Sequence, residues 1–305
     1  MIYTVTLNPS IDYYLYLNDL KRGETNRSKE EYTTFGGKGF NVSKMLKGMN
    51  QETQAIGYVA GKTGKLFEEL IKESDLNYHL YNLNDGQTRI NVKINEGEET
   101  EINANGPSLN DSMINGLMYQ LSELKPGDVL VVSGGLSNNS EETLYKKILN
   151  CVPSDVLTVV DTSGRALLYS LQAKPFLIKP NFKELQSVYA RRIISDQDLI
   201  EAMKSLQISG ARNVIVSLGK QGACMLCENG HIYVARVRQE KVINTVGAGD
   251  CLLAGFLTIY LKTRDYKNSF IFSVACASAK AYSKDFPTKA KIKEVLSHTS
   301  FIAIR

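Results

Sequence analysis

The chain has 305 residues, of which 43% are hydrophobic and 22% are charged, and its formal net charge is +4. These values are ordinary for a globular protein and exclude a largely disordered chain. The excess of positive charge is small and no dense Lys/Arg tract occurs, so nucleic acid is not a predicted partner.

Cysteine usage and apolar runs bear on the compartment. The five cysteines form an odd, scattered set, which predicts a reducing compartment, and hence the cytoplasm, rather than a disulfide framework. Cys224 and Cys227 make a C-x-x-C, but no second ligand pair is nearby, so a structural role is favoured over a redox or zinc pair. The first residues do not resemble a signal peptide. The longest apolar stretch, 252–261, is about half of the ~20 residues that span a bilayer, so no membrane association is predicted.

Short apolar runs alternate with helical patterns along most of the chain. This alternation predicts an α/β fold in which a mostly parallel sheet lies between two layers of helices. The predicted buried strands are 2–7, 129–133, 156–161, 176–179 and 213–217. Two segments, 39–49 and one that begins near residue 250, have the apolar spacing of helices. The length fits one domain over residues 1–305.

Two segments, about 13–34 and 88–102, break this rhythm because they alternate with period two and carry turn signals. We predict them to be strands of a small separate sheet. Since each adjoins a segment with candidate substrate groups, the sheet is interpreted as a lid over an active site. An antiparallel extension of the main sheet is the alternative.

The first candidate site comprises residues 8–12 (N-P-S-I-D) and the glycine turn 35–41 (F-G-G-K-G-F-N). Asp12 is predicted at the carboxyl end of the first strand, where ligands gather in open α/β sheets. Gly36 and Gly37 let the backbone approach a ligand closely. Asn41, on the first helical turn, offers amide donors and an acceptor for sugar hydroxyls.

The middle of the chain carries two further motifs. In residues 179–184 (K-P-N-F-K-E), Asn181 and Glu184 share one face of a helix's first turn, a placement that suits a hydrated Mg²⁺. A helix-capping interaction is the alternative. Residues 217–223 (S-L-G-K-Q-G-A) form a glycine loop after a strand, which is compatible with nucleotide contact and equally with an ordinary turn.

The strongest motif is 244–250 (N-T-V-G-A-G-D), which opens a helix. Gly247 and Gly249 permit backbone conformations in which several N–H groups point at one anion, and the helix adds its positive end. Asp250 stands beside this cradle, where the helix dipole favours its ionised form. A carboxylate in that place is a candidate proton acceptor in phosphoryl transfer. A plain helix cap is the alternative.

Taken in this order, these motifs resemble the ribokinase-like carbohydrate kinases, also called the phosphofructokinase B family. The resemblance runs from residue 1 to about residue 283. It depends most on the paired signature of Gly36-Gly37-x3-Asn41 early in the chain and Gly247-Ala248-Gly249-Asp250 late in it. It implies the ribokinase-like three-layer fold with a small β-sheet lid.

The resemblance implies a role for each matched position. Asp250 is the expected catalytic base, beside an anion hole of Gly247, Ala248 and Gly249. The expected sugar-binding residues are Asp12, Gly36, Gly37, Lys38 and Asn41. Arg89 is expected to bind the phosphate that the sugar already carries, and Arg27 of the lid is expected to assist it. The expected nucleotide-binding residues are Lys183, Ser217, Gly219, Gly222, Gly247 and Gly249. Asn181 and Glu184 are expected to act through Mg²⁺.

Within the family, residues 4–12 and 88–93 are most similar to members that phosphorylate fructose 1-phosphate, and next to tagatose-6-phosphate kinases. The resemblance therefore implies that ATP and a phosphorylated ketohexose are the substrates and that fructose 1,6-bisphosphate is the product. It also implies a homodimer formed through the lid. A sugar-phosphate-binding regulator without turnover is the alternative from another class. Two departures from the family pattern are Cys251, where Ser is common, and the run 133–137 (S-G-G-L-S).

Overall fold

The computed structural model describes residues 1–97 and 99–304, so Glu98 of the predicted lid and Arg305 lie outside the described residues. In chain order the strands are β1 (Ile2–Thr6), β2 (Ser10–Tyr16), β3 (Glu30–Gly36), β4 (Thr53–Ala60), β5 (Tyr78–Leu83), β6 (Arg89–Asn95), β7 (Glu99–Ile102), β8 (Val129–Ser133), β9 (Leu157–Asp161), β10 (Leu177–Ile178), β11 (Asn213–Ser217), β12 (Ala223–Leu226), β13 (Ile232–Val237) and β14 (Thr299–Ile304). The α-helices are α1 (Lys38–Gly48), α2 (Gly61–Lys72), α3 (Asp111–Ser122), α4 (Leu144–Asn150), α5 (Gly164–Ser170), α6 (Phe182–Val188), α7 (Asp196–Ile208), α8 (Ala248–Thr263), α9 (Tyr266–Ala281) and α10 (Lys289–Ser297).

Ten of the strands form the main sheet, in the order β14-β13-β12-β11-β10-β9-β8-β1-β4-β5. The seven strands from β11 to β5 are parallel, and β12, β13 and β14 extend the sheet antiparallel at one side. The predicted mostly parallel sheet is therefore confirmed. Every helix in the described part of the chain is too short or too polar to cross a bilayer.

Strand β8 shows why both faces of the sheet are covered. Its side chains alternate between the two faces. Leu130 and Val132 pack in one apolar cluster with residues of α3 and α4, and Val129 and Val131 pack in another with residues of α1, α8 and α9. All four side chains are fully buried, so the strand is uniformly apolar, as expected for a parallel strand between two helical layers.

The remaining four strands form a separate sheet in the order β3-β2-β6-β7. Strands β2 and β6 are parallel although 72 residues separate the end of the first from the start of the second (Tyr16 to Arg89, 89 − 16 − 1). The two predicted lid segments thus pair with each other, as expected, rather than with the main sheet. We call this sheet the lid.

One predicted boundary is wrong. Strand β1 ends at Thr6, and Asp12 lies on lid strand β2 rather than at the end of β1. The reason is Pro9, whose backbone has no N–H to donate to a neighbouring strand, so the chain leaves the main sheet there. The acidic side chain therefore enters the site from the lid above the sheet.

Candidate active site

A cavity of about 440 Å³ lies between the lid and the carboxyl ends of the parallel strands. We call it the central cavity. Of the residues predicted to form a site, it is lined by Asp12, Gly37, Lys38, Asn41, Arg89, Asn181, Glu184, Ser217, Gly247, Gly249 and Asp250. The two glycine turns of the sequence signature, 35–41 and 244–250, therefore meet across a single cleft.

Asp250 reaches this cavity because of how α8 begins. Gly247 is the N-cap residue of α8 and has φ +80°, a left-handed conformation that other residues rarely adopt. The turn places Asp250 on the first turn of the helix, where its side chain is 4% exposed. Helix α1 packs against α8, and Asn41 Nδ2 donates a hydrogen bond to Asp250 Oδ2 at 2.8 Å.

The environment of Asp250 raises its pKa to about 6, chiefly because burial disfavours the ionised carboxylate and because Asp161 is negatively charged. Lys38 and the Asn41 hydrogen bond act in the opposite direction. The sequence predicted that the helix dipole would favour the ionised form. The shift has the opposite sign because the loss of hydration outweighs the partial charge at the helix end.

Asp161 and two lysines form an ionic cluster on the floor of the cavity, in which Lys179 is buried and Lys38 is partly exposed. Asp161 ends strand β9 and is fully buried. Its Oδ1 lies 3.0 Å from Nζ of Lys38 and 3.3 Å from Nζ of Lys179. Burial raises the pKa of Asp161, but the two ammonium groups outweigh it, so the pKa is lowered and the carboxylate is ionised. The other oxygen, Oδ2, has no hydrogen-bond partner among the described residues.

Lys179 also borders the glycine turn of α8. A β-carbon placed on Gly249 would lie 3.0 Å from Nζ of Lys179. A larger residue at this position would push the ammonium group away from the backbone of the turn. The turn's N–H groups and a buried cation, 4% exposed, thus lie together, as an anion-binding site requires.

Asn181 and Glu184 form a helix cap. Such a cap was the alternative to the predicted role in binding Mg²⁺. Asn181 Oδ1 accepts from the Glu184 N–H at 2.8 Å, and Glu184 Oε2 accepts from the Asn181 N–H at 2.7 Å. This capping box begins α6 and directs the remaining Glu184 oxygen, Oε1, towards Lys38 at 3.8 Å. Both residues line the central cavity, so the cap and a role in the site are compatible.

The lid supplies a polar surface opposite this cluster. Asp12 Oδ1 accepts hydrogen bonds from Ser10 Oγ at 2.7 Å and Asn91 Nδ2 at 3.0 Å. A β-carbon on Gly36 would lie 2.4 Å from Asp12 Oδ2, so glycine at 36 is what allows Asp12 to occupy this position. Burial raises the pKa of Asp12, while Lys93, Ser10 and Asn91 oppose the rise.

Arg89 lies at one end of the lid surface and is partly held by the backbone. Its Nε donates to the Asn8 carbonyl at 3.1 Å, and its Nη1 donates to the Ala104 carbonyl at 3.3 Å. A guanidinium has five N–H donors, so others remain for a ligand in the cavity that Arg89 lines. Burial lowers the pKa of Arg89, and Asp12 opposes the shift.

A second space of about 290 Å³, which we call the side groove, adjoins the central cavity. The two share Ser217, Thr245 and Gly249. Its other lining residues include the predicted Gly219, Gly222 and Ala248, together with the apolar side chains of Val237, Leu252, Val274 and Tyr282. At Gly222, with φ +91°, a β-carbon would lie 2.0 Å from the Ala235 carbonyl oxygen, so only glycine fits. An apolar groove that ends at an anion-binding turn is suited to a nucleotide base and its phosphates.

Three predicted site residues, Gly36, Arg27 and Lys183, line neither the central cavity nor the side groove. Gly36 lies next to the side chain of Asp12. Arg27 is exposed in the loop between β2 and β3. Lys183 is exposed on α6. Its expected contact with the nucleotide phosphates stays a prediction.

Several cavity residues had no role predicted from the sequence, although four of them (Ser10, Lys179, Thr245 and Val246) lie within the motifs described above. The whole set comprises Ser10, Asn91, Lys93, Glu101, Asn103, Asp161, Lys179, Thr245 and Val246. A signal existed for two of them, since Asp161 ends strand β9 and Lys179 follows strand β10, which is its neighbour in the sheet. Charged residues at the carboxyl ends of adjacent parallel strands are brought to the same crevice. The lid residues gave no such signal, because their face depends on how the lid is placed over the sheet.

Comparison with known proteins agrees with this geometry. The family model described as pfkB family carbohydrate kinase matches residues 5–286. A 1-phosphofructokinase of Bacillus subtilis is 38% identical over 97% of both chains. A D-tagatose-1-phosphate kinase of Bacillus licheniformis is 31% identical over 97% of this chain and 98% of its own. The structure of phosphofructokinase-2 from Escherichia coli in its tetrameric inhibited form has a TM-score of 0.89 and 26% identity, covering 97% of this chain and 98% of that one.

Proposed function

The chain belongs to the pfkB family of carbohydrate kinases, and from this premise we propose that it transfers the γ-phosphoryl group of ATP to the 6-hydroxyl of fructose 1-phosphate. The product is fructose 1,6-bisphosphate. The observation that carries the proposal is the placement of Asp250, Asn41, Asp12 and Arg89 around one cavity that opens into the side groove. The resemblance to a 1-phosphofructokinase over nearly the whole chain supports this choice of sugar.

In the proposed reaction Asp250 accepts the proton of the attacked hydroxyl. With a pKa of about 6, it is ionised at neutral pH and yet more basic than an ordinary carboxylate, as suits a general base. The N–H groups of Gly247 and Gly249 and the Lys179 ammonium face the transferred phosphoryl group and stabilise its negative charge. ATP lies with its base in the side groove, against Ser217, Gly219 and Gly222.

The sugar is held from the lid side. Asp12 Oδ2 and the amide of Asn41 bind hydroxyl groups, and Arg89 binds the phosphate that the sugar already carries. Lys38 was expected to bind the sugar, but it is ion-paired with Asp161. We therefore assign it to the part of the cavity in which the transferred phosphoryl group lies. Burial lowers the pKa of Lys38, but Asp161, Asp250 and Glu184 outweigh it and the pKa is raised, which keeps the charge.

The residues present fit a magnesium ion. Asp161 Oδ2 is buried without a hydrogen-bond partner among the described residues, and Glu184 Oε1 is not used by the helix cap. No three His, Cys, Asp or Glu side chains cluster as metal ligands in the described part of the chain. Mg²⁺ with a nucleotide needs only one or two carboxylates because waters and phosphates complete its shell. Glu184 and Asp161, with Asn181, would hold it, and it would neutralise charge on the phosphates.

Residues 1–305 are proposed to form one domain with the lid as its cover.

A homodimer through the lid remains a proposal. It is motivated by the exposed apolar side chains Ile90 and Ile102 on the lid, and the E. coli relative was solved as a tetramer. Arg27, at the exposed end of the lid, could approach a sugar only from a second copy. Size-exclusion chromatography with light scattering tests this, and a monomer at micromolar concentration would contradict it. The cytoplasmic location likewise stays a prediction.

A panel of sugars tests the proposed substrate. The purified protein is assayed with ATP and Mg²⁺ on fructose 1-phosphate, tagatose 1-phosphate, tagatose 6-phosphate and fructose 6-phosphate, and kcat/KM is compared. We expect the highest value for fructose 1-phosphate. A higher value for tagatose 6-phosphate would favour the alternative named from the sequence. A higher value for tagatose 1-phosphate would instead favour the activity for which the B. licheniformis relative is named. Binding of a sugar phosphate without product formation would favour the non-catalytic regulator.

A further inference from the structure

Lys280 is a buried cation that the proposed reaction does not use. It lies in the last turn of α9 and is 2% exposed. Its Nζ donates to the backbone carbonyl of Asn244 at 3.2 Å. Among the described residues no carboxylate lies within 4 Å of this ammonium. Burying a lysine is costly unless its charge is compensated, so its neighbours indicate what it does.

The acceptor belongs to the turn that leads into the anion hole. Asn244 is the first residue of 244–250, and its Oδ1 accepts from the Val246 N–H at 2.9 Å. The turn continues with the Ala248 N–H donating to the Thr245 carbonyl at 3.1 Å. A displacement of the Asn244 peptide group would therefore be transmitted to the backbone of Gly247, which lines the central cavity.

The end of α9 holds this turn at several points. The Ala281 carbonyl accepts from the N–H groups of Ile243 at 2.8 Å and Asn244 at 3.2 Å. Asn244 Nδ2 donates to the Lys284 carbonyl at 3.0 Å. All these acceptors are backbone carbonyls, and the C-terminal end of a helix favours a positive charge. Lys280, in the last turn of the same helix, adds a charged donor to these contacts between the helix end and the turn.

We propose that the Lys280 ammonium serves as an internal cation that holds the 244–247 turn in the orientation in which its N–H groups face the transferred phosphoryl group. Lys280 is thus a positioning residue for the proposed kinase reaction, on which this inference rests. Burial lowers its pKa, while Cys251, Asp285 and Glu99 act in the opposite direction. Because this ammonium group is part of the chain, no monovalent cation from solution is needed to hold the Asn244 carbonyl.

The structure also offers a route for chemical rescue. Lys280 borders a crevice of about 480 Å³ between the lid and the body of the protein. Trimming the side chain to alanine would open a carbonyl-lined space that ammonium or potassium ions could reach from this crevice. Tetramethylammonium is too large to make the same contacts and serves to keep the ionic strength constant.

The experiment compares K280A with K267A, which alters an exposed lysine on the same helix. We expect kcat of K280A to fall about 10- to 100-fold, as for loss of one charged hydrogen bond, with KM for fructose 1-phosphate changed less than about twofold because the sugar contacts are intact. Ammonium or potassium should restore kcat several-fold relative to tetramethylammonium. Wild type and K267A should not respond to these ions. A wild-type rate that rises several-fold with potassium or ammonium would overturn the proposal, as would a K280A loss that no ion restores.

A second measurement does not depend on the sugar. Hydrogen exchange of segment 244–249, followed by mass spectrometry without substrates, should be faster in K280A than in K267A. If fructose 1-phosphate proves not to be a substrate, the proposed function fails, while the exchange result still decides the role of Lys280. Should K280A not fold, K280M fills the lost volume without the charge, and unchanged exchange in K280M would overturn the inference.

Discussion

Asn41 Nδ2 lies 2.8 Å from Asp250 Oδ2, although the two residues are 209 positions apart in the chain. This hydrogen bond joins the first helix of the main body to the helix that carries the proposed base. It orients the carboxylate and also favours its ionised form. Asn41 therefore has two proposed tasks. It lines the cavity proposed for the sugar, and it lowers the pKa of the proposed base.

The first prediction concerns the carboxylate itself. D250N should keep the fold, because the amide occupies nearly the same volume, and should lose on the order of 10²–10⁴ in kcat, as for loss of a general base. Steady-state kinetics with saturating ATP and fructose 1-phosphate measure the change. Turnover close to that of wild type would remove Asp250 from the role of base.

The second prediction concerns pH. Protonated Asp250 cannot accept a proton, so kcat/KM should fall as the pH drops below an apparent pKa of about 6. The Asn41 hydrogen bond lowers this pKa. N41A should therefore move the acid limb of the pH profile to higher pH. The control is N103A, which alters another cavity amide whose Nδ2 donates instead to Glu101 at 3.2 Å. An acid limb unmoved in N41A, or moved downwards, would contradict the assignment.

The third prediction concerns the phosphate of the sugar. R89A should raise KM for the sugar phosphate about ten- to a hundredfold, because a charged hydrogen-bond donor contributes roughly 1.5–3 kcal/mol. KM for ATP should stay the same, since Arg89 lies on the lid and away from the side groove. R22A, which changes an exposed arginine of the lid loop, is the matched control. An unchanged KM for the sugar phosphate would place its phosphate elsewhere.

The fourth prediction concerns the ionic cluster. D161N would leave the buried Lys179 without the carboxylate that compensates its charge, whereas Lys38 would keep Glu184. Breaking a buried ion pair by removing one partner typically costs about 3–5 kcal/mol. Urea denaturation should show a loss of this order in the free energy of unfolding. The exposed D155N should change it by less than about 0.5 kcal/mol. Equal stability of the two variants would mean that the cluster is not ionised as described.

Sequence patterns were sufficient for the framework of the site. The apolar runs located the strands because a parallel strand is buried on both faces, as in β8. The two glycine turns were recognisable because positive φ at Gly37 (+123°) and Gly247 (+80°) demands glycine. The association of the Asn41 turn with the Asp250 turn followed from the family resemblance, since local constraints do not link two segments so far apart in the chain.

The remainder of the site depends on long-range placement. Asp12 was assigned to the wrong strand, since one residue, Pro9, decides where the chain leaves the main sheet. The direction of the Asp250 pKa shift follows from burial and from Asp161, and neither is visible in the local sequence. Lys280 reads as an ordinary helical lysine until α9 is packed against the 244–250 turn. In each case the deciding contact joins segments that are distant in the chain.

The last prediction is that the proposed base reduces stability at neutral pH. The pKa of Asp250 is about 6 in the folded chain, against 3.8 as its ordinary value. Between these values the folded state binds more protons than the unfolded state, so the free energy of unfolding falls as the pH rises through this window. At pH 7 the ionised carboxylate therefore costs about 1–3 kcal/mol. D250N removes this cost, and its advantage in urea denaturation over wild type should be larger at pH 7 than at pH 4.5. An advantage that does not change with pH would mean that the pKa of Asp250 is not raised in the folded protein.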